Sequence, residues 1–346
     1  MTKTLYDISW QVDEPTYRED KAISYSTIST YSRLGFKGLD RIFDKIESPS
    51  LTFGSGVDAL VTGGQKEFNS KFIVAEFPKI SDTLITIVKG IFELDNTKDE
   101  LSQVPNNIIL SVADRVGYSA NWKADTRIAK IITECSSYYK LLKRAKDKTI
   151  ISNDIYQDML NCVNVLHSSD ATKWFFDSDN PFDGINRFYQ LKFKSTLNNI
   201  EYRCMADLLV CDTNAKIIYP IDLKTSSMPE YEFPQHFIDW NYSYQARLYW
   251  RIIRDNLDRD DYFKDFELAD YKFVVVCKNT LVPLVWEFKD TKKYGDLTYN
   301  DIILKDPEEI GEELNYYLNK DTNRVVPIGI DKNGTNDIVE WLNNSK

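Results

Sequence analysis

Residues Asn199–Trp250 read NIEYRCMADLLVCDTNAKIIYPIDLKTSSMPEYEFPQHFIDWNYSYQARLYW, and the rest of the chain takes its meaning from this stretch. Two apolar runs, Arg203–Cys211 and Lys216–Leu223, flank the polar turn Asp212-Thr213-Asn214-Ala215. That pattern predicts a β-hairpin. The first run carries Asp207 among apolar neighbours, and the second ends in Asp222-Leu223-Lys224. Side chains two apart on a strand share a face, so Asp222 and Lys224 point together and Leu223 points away. A helix-like segment follows, in which Gln245 and Tyr249 stand four apart and share a face.

Two carboxylates and a lysine at the open end of a hairpin suit metal-dependent phosphodiester hydrolysis. A hard cation such as Mg²⁺ takes oxygen ligands, usually only one or two of them carboxylates, and keeps water elsewhere. The ion polarises a phosphoryl oxygen and lowers the pKa of bound water. An ammonium beside it orients that water and stabilises charge in the transition state. An acid-x-Lys triplet alone means little in a chain with 53 acidic residues. Glu287-Phe288-Lys289 and Asp290-Thr291-Lys292 have the same form and read as solvated edges. What singles out Asp222-Leu223-Lys224 is its setting: Asp207 inside the preceding apolar run, and Gln-x-x-x-Tyr after it.

At these residues the chain resembles the PD-(D/E)XK nuclease superfamily, and within it the RecB-like and RecE/lambda-type exonucleases, including phage-encoded ones. The family's Asp before the hairpin matches Asp207 in Met-Ala-Asp-Leu-Leu, and its (D/E)-x-K matches Asp222-Leu223-Lys224. Its Gln-x-x-x-Tyr matches Gln245 and Tyr249. The strong part of the match covers about fifty residues. The resemblance implies an α/β, restriction-endonuclease-like fold, a mixed central sheet flanked by helices with a helical N-terminal half. It implies Mg²⁺-dependent DNA cleavage, with Mn²⁺ able to substitute, as a 5′–3′ exonuclease on linear DNA in recombination or repair. Asp207, Asp222 and the Leu223 carbonyl would hold the metal, Lys224 would position the attacking water, and Gln245 would hydrogen-bond Lys224 or the water. Arg203, Thr225, Ser226 and Tyr249 would contact DNA. For Gln245 and Tyr249 the competing reading is a polar pair where helix meets sheet. Implied partners are DNA, a single-strand annealing protein and further copies of the chain.

The family's metal-binding residue after a glycine-containing segment, often His, corresponds to Asp58 in Phe53-Gly54-Ser55-Gly56-Val57-Asp58. An oxygen ligand there suits a hard cation. The competing reading places Asp58 in the first turn of a helix, where the macrodipole favours an acid. The glycines themselves read as close packing at a helix start. Where the resembled exonucleases carry a Glu on the strand before the hairpin, this chain has Gln190, so a single metal, or a weakly held second one, is expected.

Composition narrows the classes. The chain has 346 residues and 42% hydrophobic content, enough for a sizeable core. Its net charge of −10 argues against a broad basic surface coating DNA, while leaving room for a locally basic groove. No Gly-Lys-Ser/Thr phosphate loop occurs, so ATP is not expected to take part. Five scattered cysteines without a CxxC pair predict buried free thiols and no iron–sulfur cluster. Two histidines make a His-based zinc site implausible. No apolar signal core or membrane-length stretch is present, which predicts a cytoplasmic protein with no membrane partner.

Along the chain, 1–150 is expected to be mainly helical, 151–290 the catalytic core and 291–346 a helical extension, all within one nuclease domain. Met1–Ile23 reads as an arm or surface loop. A helix runs from the Ser24 cap to Gly35. The Lys- and Arg-rich run through Lys123, Arg127, Lys130, Lys140, Lys143, Arg144, Lys146 and Lys148 reads as a solvated helix face, with a DNA-backbone contact as the alternative. Asn186–Lys194 alternates as a strand, Ser152 caps a further helix, and Tyr271–Cys277 with Leu281–Phe288 form two more strands. Asp306-Pro307 opens a helix, and Asp337–Leu342 is amphipathic. Two other function classes remain open: a sequence- or structure-specific endonuclease on the same core, and a non-catalytic DNA-binding or assembly protein.

Overall fold

The computed structural model describes residues 3–44, 48–177 and 183–319; Asp337–Leu342 lies outside them. The chain falls into two compact units, one formed by Met1–Glu47 with His167–Lys346 and the other by Ser48–Leu166. The divisions between the units fall near residues 47 and 167.

The first unit opens with helices α1 (Glu14–Glu19) and α2 (Tyr25–Leu34). Asp13 caps α1 by accepting from the Thr16 amide, and Gly35 ends α2 with φ 57°, a conformation that suits glycine. The arm is not a surface loop. Leu5 is fully buried, and Ile23 pairs with Tyr202, its amide donating to the Glu201 carbonyl over 2.9 Å. Its apolar residues are sparse, and Ile23 meets the sheet through an isolated bridge rather than a strand, so periodicity does not reveal the contact.

The second unit comprises α3 (Pro49–Lys71), β1 (Phe72–Val74), α4 (Asp82–Leu94), α5 (Asn106–Arg115), α6 (Ala124–Ala145), β2 (Thr149–Ile151) and α7 (Asn153–Ser168). Leu84, Ile87, Val88 and Ile91 of α4 recur at helical spacing and are buried against Ile109, Ile131, Cys135 and Tyr139. β1 and β2 pair in parallel. The glycine segment lies inside α3 rather than at its start, and a Cβ at Gly56 would meet the Met159 side chain, so close packing explains that glycine.

The chain then returns through α8 (Lys173–Phe176) to β3 (Ile185–Leu197), β4 (Ile200–Asp212) and β5 (Ile217–Ser226). Asn198 and Asn199 join β3 to β4 with φ 48° and 63°, as a two-residue hairpin turn requires. After α9 (Phe233–Asp239) and α10 (Tyr242–Asp258) come β6 (Glu267–Leu268), β7 (Tyr271–Cys277), β8 (Leu284–Phe288), the small hairpin β9 (Leu297–Tyr299) and β10 (Ile302–Leu304), and α11 (Pro307–Asn319). The central sheet runs β3-β4-β5-β7-β8, with β6 alongside β5; β5 and β7 are parallel and the other consecutive pairs antiparallel. The architecture is α/β, a mixed sheet flanked by helices. The core packs α10, through Ala246, Leu248, Ile252 and Ile253, against Phe193, Tyr202, Cys204 and Val275. All five cysteines are buried free thiols. Among the described residues no helix is long and apolar enough to cross a membrane.

Candidate functional site

The site is built where β5 changes partners. It pairs with β4 only as far as Leu208↔Ile221, while its pairing with β7 runs from Ile221 to Ser226. Asp207 and Asp222 are the next residues beyond the last β4–β5 pair. Backbone polar groups alternate sides along a strand. Ser226 accepts from the Lys278 amide, which puts the even-numbered backbone groups of β5 on the side away from β4. Those of Leu223 therefore face β4, where the ladder has ended. The Asp207 carboxylate takes the vacated place, accepting from the Leu223 amide over 3.0 Å. The Leu223 carbonyl, on the same side, has no ladder partner from β4.

Asp222 is 1% exposed and is met from two directions. The Lys224 ammonium, on the same face of β5, lies 2.7 Å from Oδ2. Gln245 of α10 donates from Nε2 to Oδ1 and accepts from Lys224 Nζ over 3.0 Å. Asp222, Lys224 and Gln245 thus form a closed triangle. Burial pushes the Lys224 ammonium down, but the Asp222 charge, with Tyr242, Tyr25 and Asp207, outweighs it and holds the group above the usual lysine range. Oδ2 of Asp222 is buried and, despite the ion pair, makes no hydrogen bond of good geometry.

That donor set fits a divalent cation. A buried carboxylate oxygen lacking a hydrogen bond, a second carboxylate one strand away and a backbone carbonyl at a ladder's end are all hard oxygen ligands. Among the described residues no cluster of three or more His, Cys, Asp or Glu side chains is arranged to hold a metal. A cation here would therefore depend on water and substrate oxygens to complete its shell.

Sequence reading and structure part at several residues. Arg203, expected at DNA, is buried: its guanidinium donates to the carbonyls of Tyr17, Ala22 and Arg18 and stacks 4.5 Å from the Tyr17 ring. Tyr249, also expected at DNA, is buried edge-on against Tyr271, with ring centroids 6.4 Å apart. Both requirements are internal, so the free chain does not offer either side chain to a phosphate. Thr225 and Ser226 continue β5 beyond Lys224 and are partly exposed. Asp58 lies in the other unit, partly buried and well past the first turn of α3, so the macrodipole does not account for it.

Four residues of the basic run have acidic partners within their own unit. Arg127 pairs with Asp114 at 2.7 Å, Lys140 with Glu100 at 2.7 Å, Lys143 with Asp99 at 3.7 Å and Lys130 with Glu134 at 3.8 Å. At those four positions the pairing agrees with the first reading. The two decoy triplets are also surface pairings, Glu287 with Lys272 at 2.5 Å and Asp290 with Lys293 at 3.0 Å.

Sequence reasoning missed Tyr242 and Tyr25. The Lys224 ammonium lies 4.5 Å from the Tyr242 ring centroid, and the Tyr25 and Tyr242 rings are 6.2 Å apart. Tyr242 stands three residues before Gln245, so the helical period that links Gln245 to Tyr249 also puts it on that face.

No protein-family model matches the chain, and no curated protein matches it. Among solved structures it is similar to a protein from Eubacterium rectale described as a "Putative exonuclease". The identity is 10% and the TM-score 0.29, over 79% of this chain and 85% of that one. At that score the likeness carries no argument about the site.

Proposed function

We propose that the chain is a metal-dependent deoxyribonuclease whose centre is Asp207, Asp222, Lys224 and Gln245. The observation that supports this most directly is the triangle of Asp222, Lys224 and Gln245 at the point where the β4–β5 ladder opens. A buried ion pair is a costly way to stabilise a sheet, because desolvation offsets much of the attraction. Its placement beside a second carboxylate and an uncovered carbonyl suits chemistry better than structure.

Asp207, Asp222 and the Leu223 carbonyl would hold Mg²⁺, or Mn²⁺ in its place. When bound, such an ion lowers the pKa of water and stabilises charge on the phosphoryl group. Lys224 keeps its proton beside Asp222 and so acts as a donor, orienting water and stabilising developing negative charge. Gln245, bonded to both, fixes their relative orientation. Exonucleolysis of linear DNA, 5′–3′ polarity and a role in recombination or repair extend the family resemblance at these motifs, as do a single-strand annealing partner and self-association.

The test is cleavage of linear, nicked and closed circular DNA by the purified chain with Mg²⁺, using end-labels on either strand. Loss of linear DNA alone, from its 5′ ends, supports the exonuclease. Cutting of closed circles reassigns the site to an endonuclease, and full activity in EDTA or strict ATP dependence rejects the mechanism. Ca²⁺ should bind without turnover, because its looser shell positions water poorly.

A further inference from the structure

We infer that Tyr242 is the positioning residue for Lys224, its ring face holding the ammonium at the cleavage centre. The inference rests on the nuclease reading of the site and adds to it a residue that the motifs do not contain.

The ring is itself firmly placed. Tyr242 is the first residue of α10, and Asn241 before it adopts a left-handed conformation with φ 54° and ψ 43° that aims the helix start at the sheet. The preceding Trp240 carbonyl accepts from the Tyr25 hydroxyl at 2.7 Å and from the Ser29 hydroxyl at 3.3 Å. The Tyr242 ring stacks on Phe233 (centroids 5.7 Å, 15° between planes) and on Phe273 (5.7 Å, 30°). Phe273 is the β7 register partner of Asp222. The aromatic floor and the carboxylate are thus tied to the same rung of the sheet.

The Lys224 ammonium has three holds: Asp222 Oδ2 at 2.7 Å, Gln245 Oε1 at 3.0 Å and the Tyr242 ring at 4.5 Å from its centroid. A divalent cation on Asp222 competes with Lys224 for that carboxylate. The other two holds do not use that carboxylate: the Gln245 amide oxygen is already engaged by the ammonium, and an aromatic face is a poor ligand for a hard ion. A lysine side chain tied at one point retains much of its rotamer freedom. The ring, by cation–π attraction, supplies a second point and keeps the charge in place.

The decisive experiment combines kinetics with a metal-free readout. With Mn²⁺ and linear DNA, Tyr242→Phe should keep the wild-type kcat, since the ring face is retained. Tyr242→Leu should lose about tenfold in kcat, as expected for a cation–π contact in a partly desolvated site, with KM for DNA and Mn²⁺ affinity unchanged. Replacing Tyr242 with phenylalanines of increasing fluorination keeps the ring's shape while draining its face of negative potential, so kcat should fall stepwise. Wild-type kcat in the Leu variant, a flat response to fluorination, or a Phe variant as slow as Leu overturns the inference. Without metal, the Lys224 ε-methylene protons should be shifted upfield by the ring in the wild type and return to ordinary positions in Tyr242→Leu. Absence of that ring shift overturns the inference even if the wild type cleaves no DNA, an outcome that by itself rejects only the nuclease reading.

Discussion

Gln190 stands directly across the β3–β4 ladder from Asp207, at a rung where both strands lose their regular alternation. Tyr189↔Leu208 and Leu191↔Ala206 flank that rung in unbroken register. Core positions on β4 run Tyr202, Cys204 and Ala206, then Leu209 and Cys211; on β3 they run Phe193 and Leu191, then Phe188. The step of two becomes three on each strand at the same rung. Gln190 takes up the irregularity with φ 53°, a conformation that strains any residue with a Cβ. Strain of this kind persists where the surroundings over-determine it, often at functional sites.

Gln190→Gly and Gln190→Ala remove the same side chain but differ in backbone freedom. The glycine variant should be more stable than the alanine variant by about 1 kcal/mol. Urea unfolding of the two proteins measures the difference. Equal midpoints would mean that the backbone is not strained.

Alanine at Asp207, Asp222 or Lys224 should abolish cleavage with the fold retained, but the stability costs should differ. Lys224→Ala leaves Asp222, whose side chain is 2% exposed, as a buried charge without its cation, and should cost about 3 kcal/mol without metal. Asp222→Ala leaves Lys224, 21% exposed, whose long stem can carry the charge to water, at a cost of about 1 kcal/mol. Denaturation in EDTA separates the two, and added Mg²⁺ should recover more stability in Lys224→Ala than in the wild type.

Stability should fall steeply on the alkaline side. Burial first, and neighbouring negative charges second, push the phenols of Tyr249 and Tyr271 well above their ordinary value. The folded state then binds more protons than the unfolded state above about pH 10, so the stabilisation present below that pH is lost as pH rises. Tyr271→Phe and Tyr249→Phe should each flatten that limb in melts between neutral pH and pH 11. At neutral pH Tyr271→Phe should gain about 1 kcal/mol, because the Tyr271 hydroxyl is buried without a hydrogen-bond partner.

Arg247 should prove indispensable to the fold while touching none of the site residues. It is fully buried and donates to the carbonyls of Lys293, Lys305 and Gly295 and to Asp306, which also pairs with Arg251 at 2.8 Å. Two residues from Gln245, it points to the opposite side of α10. Arg247→Met should destabilise by about 3 kcal/mol, and adding Asp306→Asn should cost less than the sum of the two single changes. Thermal melts of the four-member cycle test this.

The central hairpin, the Asp-x-Lys face and the Gln245 helix were legible because each is a local pattern: alternation, a turn cluster, a four-residue period. The burial of Arg203, and the choice for Tyr249 of packing against the sheet over contact with DNA, were not legible because a period tells which residues share a face, not what covers that face. Arg203 is covered by carbonyls of Tyr17, Arg18 and Ala22, far away in sequence. β1 and β2 escaped notice since three-residue strands carry almost no periodic signal and their pairing spans α4 to α6. The opening of the ladder at Leu208↔Ile221 is a property of three strands together, and no single stretch encodes it.

The interrupted make-up of the sheet unit sets an order of events during synthesis. Ser48–Leu166 is continuous in the chain, so it leaves the ribosome whole and can fold while translation proceeds. Leu5, Ile23 and Ile28 emerge earlier still, yet Phe193, Tyr202 and Leu248, beside which they are finally buried, have not then been made. Those three side chains therefore reach their final burial only once the sheet and α10 have been made.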